Sequence, residues 1–155
     1  FAVPATQTGL GSDRVSVVPL IRTERGTFLG IRISDLPAAE KHFGKSSMPS
    51  LPVFTLPKGL LTPSEIEKFV IDGIATKHGA RVLSYQELGG AYSPSPGIIP
   101  GLLQPVAVEI DVNSLDSCNY HWVPLGALLN RVDDIKDGQL LTGLFRASHA
   151  LDLVQ

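Results

Sequence analysis

Residues 57–79 read PKGLLTPSEIEKFVIDGIATKHG, and this stretch decides the fold. Pro57-Lys58-Gly59 is a turn. Thr62-Pro63-Ser64-Glu65 then carries the start signals of a helix: a hydroxyl to cap the first free N–H groups, proline at the first helical position, and an acid three residues after the cap. Ile66, Phe69, Val70 and Ile74 recur at the spacing of one helical face. Gly79 supplies the left-handed residue that ends such a helix. The segment therefore predicts a turn, a capped amphipathic helix and a closing glycine.

On the N-terminal side, Arg14–Arg22 (RVSVVPLIR) is β-branched and apolar, as a buried strand is, with Pro19 hinting at an edge or a bulge. Thr23-Glu24-Arg25-Gly26 is a turn, and Thr27–Ser34 (TFLGIRIS) alternates as the returning partner of a hairpin. Residues 35–52, with three prolines, read as an irregular excursion before a short strand at Val53–Leu56. On the C-terminal side, Arg81–Leu88 and Leu103–Val112 read as strands, the second central-looking, with Pro105 hinting at an edge or a bulge near its start. The loop Ala91–Gly101 (AYSPSPGIIPG) separates them. A short strand at Tyr120–Val123, a small helix at Leu125–Val132 and a last helix capped by Asp137 complete the chain. Strands, helix, strands and then helices imply an α/β (α+β) fold, a mixed sheet with helices packed on it.

Composition bounds the rest. At 155 residues, with 43% hydrophobic and 18% charged residues, the chain has the makeup of one folded domain, residues 14–155, preceded by an arm at 1–13. A net charge of −2 gives no sign of a nucleic-acid footprint. No apolar run approaches the ~20 residues of a membrane helix. Cys118 is the sole cysteine, so no intrachain disulfide can form, which fits a reducing intracellular compartment. Phe1 in place of an initiator Met is consistent with processing or with a piece of a longer chain.

The order of elements and several local motifs resemble the Nudix hydrolases, and among them the ADP-ribose and nucleotide-sugar pyrophosphatases. The family box runs Gly, five residues, Glu, seven residues, then Arg-Glu-apolar-x-Glu-Glu-x-Gly; Gly59 and Glu65 match it at the correct separation. Tyr92–Gly97 (YSPSPG) is similar to the Pro-Ser-Pro-Gly loop of that subfamily. Trp122-Val123-Pro124-Leu125 and Ile135-Lys136-Asp137-Gly138 are similar to the entries of its small helix and last helix. The resemblance covers roughly residues 14–150 and implies a Nudix-type α/β/α sandwich.

At its catalytic end the box departs from the family. Counted forward from Gly59, the Arg-Glu pair falls on Gly73-Ile74 and the Glu-Glu pair on Lys77-His78. Counted back from Gly79, with one residue deleted, the pairs become Asp72-Gly73 and Thr76-Lys77. In neither register does an acid stand where the family holds its metal. Cleaving a diphosphate spreads negative charge over phosphate oxygens, which Mg²⁺ held by carboxylates neutralises. The subfamily's further Glu after its Pro-Gly loop has no counterpart in Ile98–Leu102. These departures imply a degenerate box comprising Gly59, Glu65, Asp72, Gly73, Thr76, Lys77, His78 and Gly79, with no catalytic or metal-binding residue and no cofactor.

Several residues carry a second reading. Glu65 is explained by helix capping; with Asp72, seven residues on, it could form a displaced metal pair. Lys77 and His78 suit a helix C-terminus, or could bind an anion in place of the metal charge. Tyr92 reads as structural among prolines, or as a surface on which a nucleotide base stacks. His42, His78, His121 and His149 lack ligand spacing. Ser95 lacks the partners of a nucleophile. The expectation is a non-catalytic Nudix-fold component of a larger protein assembly, with other protein subunits as partners and neither membrane nor nucleic acid indicated. Two alternatives stand beside it. One is a Mg-dependent hydrolase of a nucleoside diphosphate derivative such as ADP-ribose, its metal site relocated to Glu65, Glu67, Asp72, Glu87 or Glu109. The other is a nucleotide sensor that binds without cleaving.

Overall fold

The computed structural model describes residues 13–35, 47–59, 62–94, 101–117 and 119–150. Outside them lie the arm 1–12, part of the excursion with His42, the loop Ser95–Pro100, Cys118 and residues 151–155. Seven strands form one mixed sheet: β1 (Arg14–Thr23), β2 (Gly26–Asp35), β3 (Ser47–Ser50), β4 (Val53–Thr55), β5 (Val82–Glu87), β6 (Leu103–Ile110) and β7 (His121–Pro124). The helices are α1 (Pro63–His78), α2 (Leu125–Leu129) and α3 (Gly138–Ala150), with 3₁₀ turns at Val112–Ser117 and Val132–Asp134. The sheet runs β3-β2-β1-β6-β5, with β4 also paired to β1 and β7 to β2. β1 and β6 are parallel; the other pairs are antiparallel.

Alternation along the central strands splits the core into two layers. Val15, Val17 and Ile21 of β1 and Val106, Val108 and Ile110 of β6 meet Ile66, Val70 and Ile74 of α1. Val18 and Leu20 of β1 and Ala107 of β6 meet Leu140, Leu144 and Ala147 of α3 on the opposite face. Both faces of β1 are apolar because both are covered, which is why its sequence reads as a continuous apolar run. The result is the expected α/β/α sandwich. Among the described residues no helix is long and apolar enough to cross a membrane.

Both proline hints need correction. β1 and β6 are interior strands, not edges. Proline is tolerated in β1 because Pro19 lies between the stretch paired with β4 (Arg14–Ser16) and the stretch paired with β2 (Leu20–Thr23). The Val17 N–H points to this side, toward the Pro52 carbonyl. Two residues on, the N–H that Pro19 lacks would face the same gap. The excursion is also shorter than expected. Ser47–Ser50 pairs with Arg32–Asp35 of β2 as an edge strand, where Pro49 needs no second partner. The small helix ends at Leu129, not Val132, and the chain continues into a separate 3₁₀ turn.

Candidate functional site

Thr62–Gly79 form the expected capped helix α1, which turns Ile74 and His78 of the box positions to the sheet and leaves Asp72, Thr76 and Lys77 exposed. Thr62 adopts extended backbone and accepts from the Glu65 N–H at 3.2 Å, while its hydroxyl donates to Glu65 Oε1 at 3.0 Å. Glu65 is thus engaged at the helix start by its cap. Gly79 has φ 67°, and its N–H donates to the Ile74 carbonyl. Gly59, at φ 99°, makes the preceding turn.

The five positions that would carry the box carboxylates in the two registers have other occupants. Ile74 is fully buried among Val70, Val106 and Val108. Gly73 lies beneath Phe54 of β4, and a Cβ there would stand 2.8 Å from Phe54 Cε1. His78 is buried and stacks on Tyr120, centroids 5.2 Å apart, with Phe54 edge-on at 5.6 Å. Lys77 is exposed and holds its Nζ 5.7 Å from the Phe54 ring centroid. Thr76 and Asp72 are exposed, and the Thr76 hydroxyl donates to the Asp72 carbonyl at 2.6 Å. This is an aromatic and cationic ledge, extended by Trp122, which lies edge-on to Tyr120 at 5.6 Å. Trp122 approaches so closely over Gly30 that a Cβ there would meet its ring at 2.9 Å.

Asn119 locks the end of α1. Its N–H donates to the His78 carbonyl at 3.3 Å, and its Oδ1 lies 3.3 Å from His78 Nδ1. An amide oxygen accepts, so Nδ1 carries the proton in this pairing. Burial holds the imidazole below its ordinary value; the Arg32 charge and, more weakly, Lys77 act the same way, against the Asn119 bond. A lowered folded value means that the unfolded chain binds the proton first as pH falls. Stability is therefore expected to be full above about pH 6.5, the ordinary value, and to decline below it toward the folded value. The slope is at most ~1.4 kcal/mol per pH unit for one proton. Urea midpoints between pH 7.5 and 5.5 would measure it; an equal slope in His78→Gln would assign the effect elsewhere.

Among the described residues, the acids of the relocated-site alternative do not gather into one cluster of three or more. Glu109 pairs with Arg22 at 3.4 Å. Glu67 and Glu87 both act on Tyr85, whose phenol is pushed up chiefly by burial. Among the described residues no group of three or more His, Cys, Asp or Glu is placed to hold a metal. The Mg²⁺ implied by the fold family does not fit the α1 positions. A fully buried isoleucine, a glycine under a phenyl ring, a neutral stacked histidine and an exposed ammonium offer it no oxygen donors.

Tyr92 is not part of this ledge. It bridges Leu103 at the start of β6, and Arg146 of α3 lies 5.2 Å from its ring centroid, on the other face of the sheet. Lys77 and Tyr92 therefore do not form one nucleotide site. Arg32, Phe54, Asn119 and Tyr120, which sequence reasoning had not joined to Lys77 and His78, do gather there, since strand pairing alone brings β2, β4 and the β7 approach against α1. An open hollow of about 480 Å³ near Trp122 is lined by Ile21, Thr23, Glu24, Arg25 and Phe28 at the β1–β2 turn, away from the box.

The sequence matches no protein-family model and no curated protein. Solved structures resemble the fold throughout. A protein named as a NUDIX hydrolase from Listeria monocytogenes aligns over 90% of this chain and 93% of its own at TM-score 0.58 and 14% identity. An ADP compounds hydrolase aligns over 91% and 74% at TM-score 0.64 and 11% identity. The NUDIX domain of Shewanella oneidensis NrtR, complexed with ADP ribose, aligns over 89% and 86% at TM-score 0.55 and 14% identity. At such identities the likeness defines architecture: the chain has the Nudix fold.

Proposed function

We propose that this chain is a non-catalytic Nudix-fold module that contributes surface to a larger protein assembly. The observation that carries the first half is the use of the box helix. Ile74 and His78 are spent on the core and Gly73 on the approach of Phe54, so three of the five positions that would carry carboxylates are given to packing. For the second half, the support is exposed apolar area on α3 and beside it. Phe145 is 70% exposed and stands with Leu141 and Val132 around a shallow hollow. A phenyl ring left in water on a helix that already buries its other face is the kind of group that protein interfaces cover.

Incubation with ADP-ribose and Mg²⁺ or Mn²⁺, followed by chromatography for AMP, tests the first half. No release above the buffer rate is expected; turnover lost in Glu67→Gln or Asp72→Asn would establish a relocated hydrolase site instead. Native mass measurement of the protein from its source tests the second half. A lone monomer there, with no co-purifying chain, would remove the assembly role.

A further inference from the structure

Helix α3 carries a stripe that the core does not use. Leu140, Leu144 and Ala147 pack on the sheet, whereas Leu141, Phe145 and His149 follow one another at helical spacing on the exposed side. Phe145 projects from this stripe, and the hollow beside it measures about 420 Å³, bounded also by Val132, Thr142 and Arg146. A closed cavity of roughly 150 Å³ already holds benzene, so even this open hollow has room for a phenyl ring. Projecting ring and receiving hollow thus share one surface.

Charge is ordered along the same surface. Asp133 and Asp134 precede the helix, exposed in the 3₁₀ turn whose Val132 borders the hollow. Arg146 and His149 stand in its second half. Among the described residues neither aspartate makes an ion pair. A face acidic before the helix and basic toward its end complements a copy of itself turned end for end. A twofold axis crossing α3 at Phe145 sets Leu141 at the level of the copy's His149 and the acidic end against the basic end. A parallel pairing would oppose like charges, so the order of signs selects the antiparallel one.

We propose that the chain forms a twofold dimer through antiparallel α3 helices, the hollow of each copy covering Phe145 of the other. This rests on the assembly reading above and names its partner as a second copy. Thirteen residues make α3 about 20 Å long, so the interface falls at the small end of specific contacts, with dissociation in the micromolar range.

Sedimentation of the whole purified chain across that range tests it, and a monomer–dimer equilibrium is expected. Phe145→Ser should raise the dissociation constant about tenfold or more. The side chain is exposed, so the variant should retain the parent circular dichroism spectrum. Asp134→Lys should also weaken the dimer, and adding His149→Asp to that variant should recover much of the loss, because the pair is then restored with its signs exchanged. A dimer held by another face would show neither the Phe145 effect nor this recovery. A monomer throughout, a dimer indifferent to Phe145→Ser, or a charge-exchanged variant no tighter than Asp134→Lys would each overturn the proposal. So would a monomer that dimerises only after removal of residues 1–12, which would give the patch to the chain's own arm. Capture of a different chain through Phe145 in place of self-pairing would overturn it too, yet leave the assembly role standing. A lone monomer from the native source removes that role itself.

Discussion

Ile74→Glu is expected to unfold the domain and to yield no hydrolase. Counted forward from Gly59, this substitution restores the acid that the family box has at that position. The parent side chain is fully buried and packs in the layer formed by Val70, Val106 and Val108. Removing it forfeits the ~2–4 kcal/mol typical of a large buried aliphatic group. An ionised carboxylate there would have no described cation beside it, and desolvation adds a further few kcal/mol or forces protonation. The combined loss of at least ~4–5 kcal/mol approaches the whole stability of an ordinary domain, ~5–15 kcal/mol. Ile74→Val, by contrast, should cost about 1 kcal/mol. Urea denaturation followed by far-ultraviolet circular dichroism separates the two. A cooperative Ile74→Glu transition within ~1 kcal/mol of the parent would show that this face of α1 is not core.

The other register leads to the same place by a different route. Counted back from Gly79, the acid belongs at Gly73, where Phe54 lies so close that a Cβ would overlap its ring. Phe54 also touches His78 edge-on and lies under the Lys77 ammonium. A side chain at 73 would therefore displace the ring that organises both neighbours. Whichever register evolution followed, the return path meets packing, not simply a missing charge.

This distinction was only half readable from residue order. Periodicity and capping located α1 to the residue: Thr62 at the cap, Gly79 at the stop, Ile66, Val70 and Ile74 inward. Strands with two covered faces announced themselves as apolar runs, as Arg14–Arg22 did. Pairing did not. Pro19 and Pro105 suggested edges because proline lacks a donor, but whether a donor is needed depends on which neighbour lies alongside, a long-range fact. Ser47–Ser50 was missed because a short edge strand with proline has the composition of a loop. The site suffered most from the same limit. Lys77 and His78 were visible as departures from a motif, whereas Arg32, Phe54, Asn119 and Tyr120 become their neighbours only through pairing and helix placement. Tyr92 carried a family likeness yet lies under α3, since Leu103 fixes its face of the sheet.

Arg146→Met is expected to cost ~2–4 kcal/mol, and the reason begins at Pro105. At the end of the β5–β6 ladder the Leu88 N–H donates to the Pro105 carbonyl at 2.9 Å. In an antiparallel pair the return bond would run from residue 105 to the Leu88 carbonyl, but proline has no N–H to give. Arg146 of α3 supplies the missing donor: its Nη1 lies 3.0 Å from the Leu88 oxygen and 2.6 Å from that of Gly90. Gln104 Nε2 satisfies the intervening Gly89 carbonyl at 2.9 Å, so the bend that turns the chain toward Tyr92 is held by side chains from two elements. Methionine keeps most of the aliphatic length and removes the donors. The part-buried Leu88 carbonyl then loses a charge-assisted bond worth ~1.5–3 kcal/mol, while water can replace the bond to exposed Gly90. Tyr92 loses the guanidinium beside its ring, worth a further ~0.5–1 kcal/mol. Arg146→Lys should fall between parent and Arg146→Met, because one ammonium keeps the charge but not the fixed fork. Thermal and urea denaturation of the three proteins tests the order. Amide exchange of Leu88 and Tyr92 should quicken in Arg146→Met before that of Val106 or Val108, because the bend opens while the central strands stay paired. If Arg146→Met matches the parent within ~0.5 kcal/mol, the arginine is a surface residue that merely lies near the bend, and Pro105 must be compensated in another way.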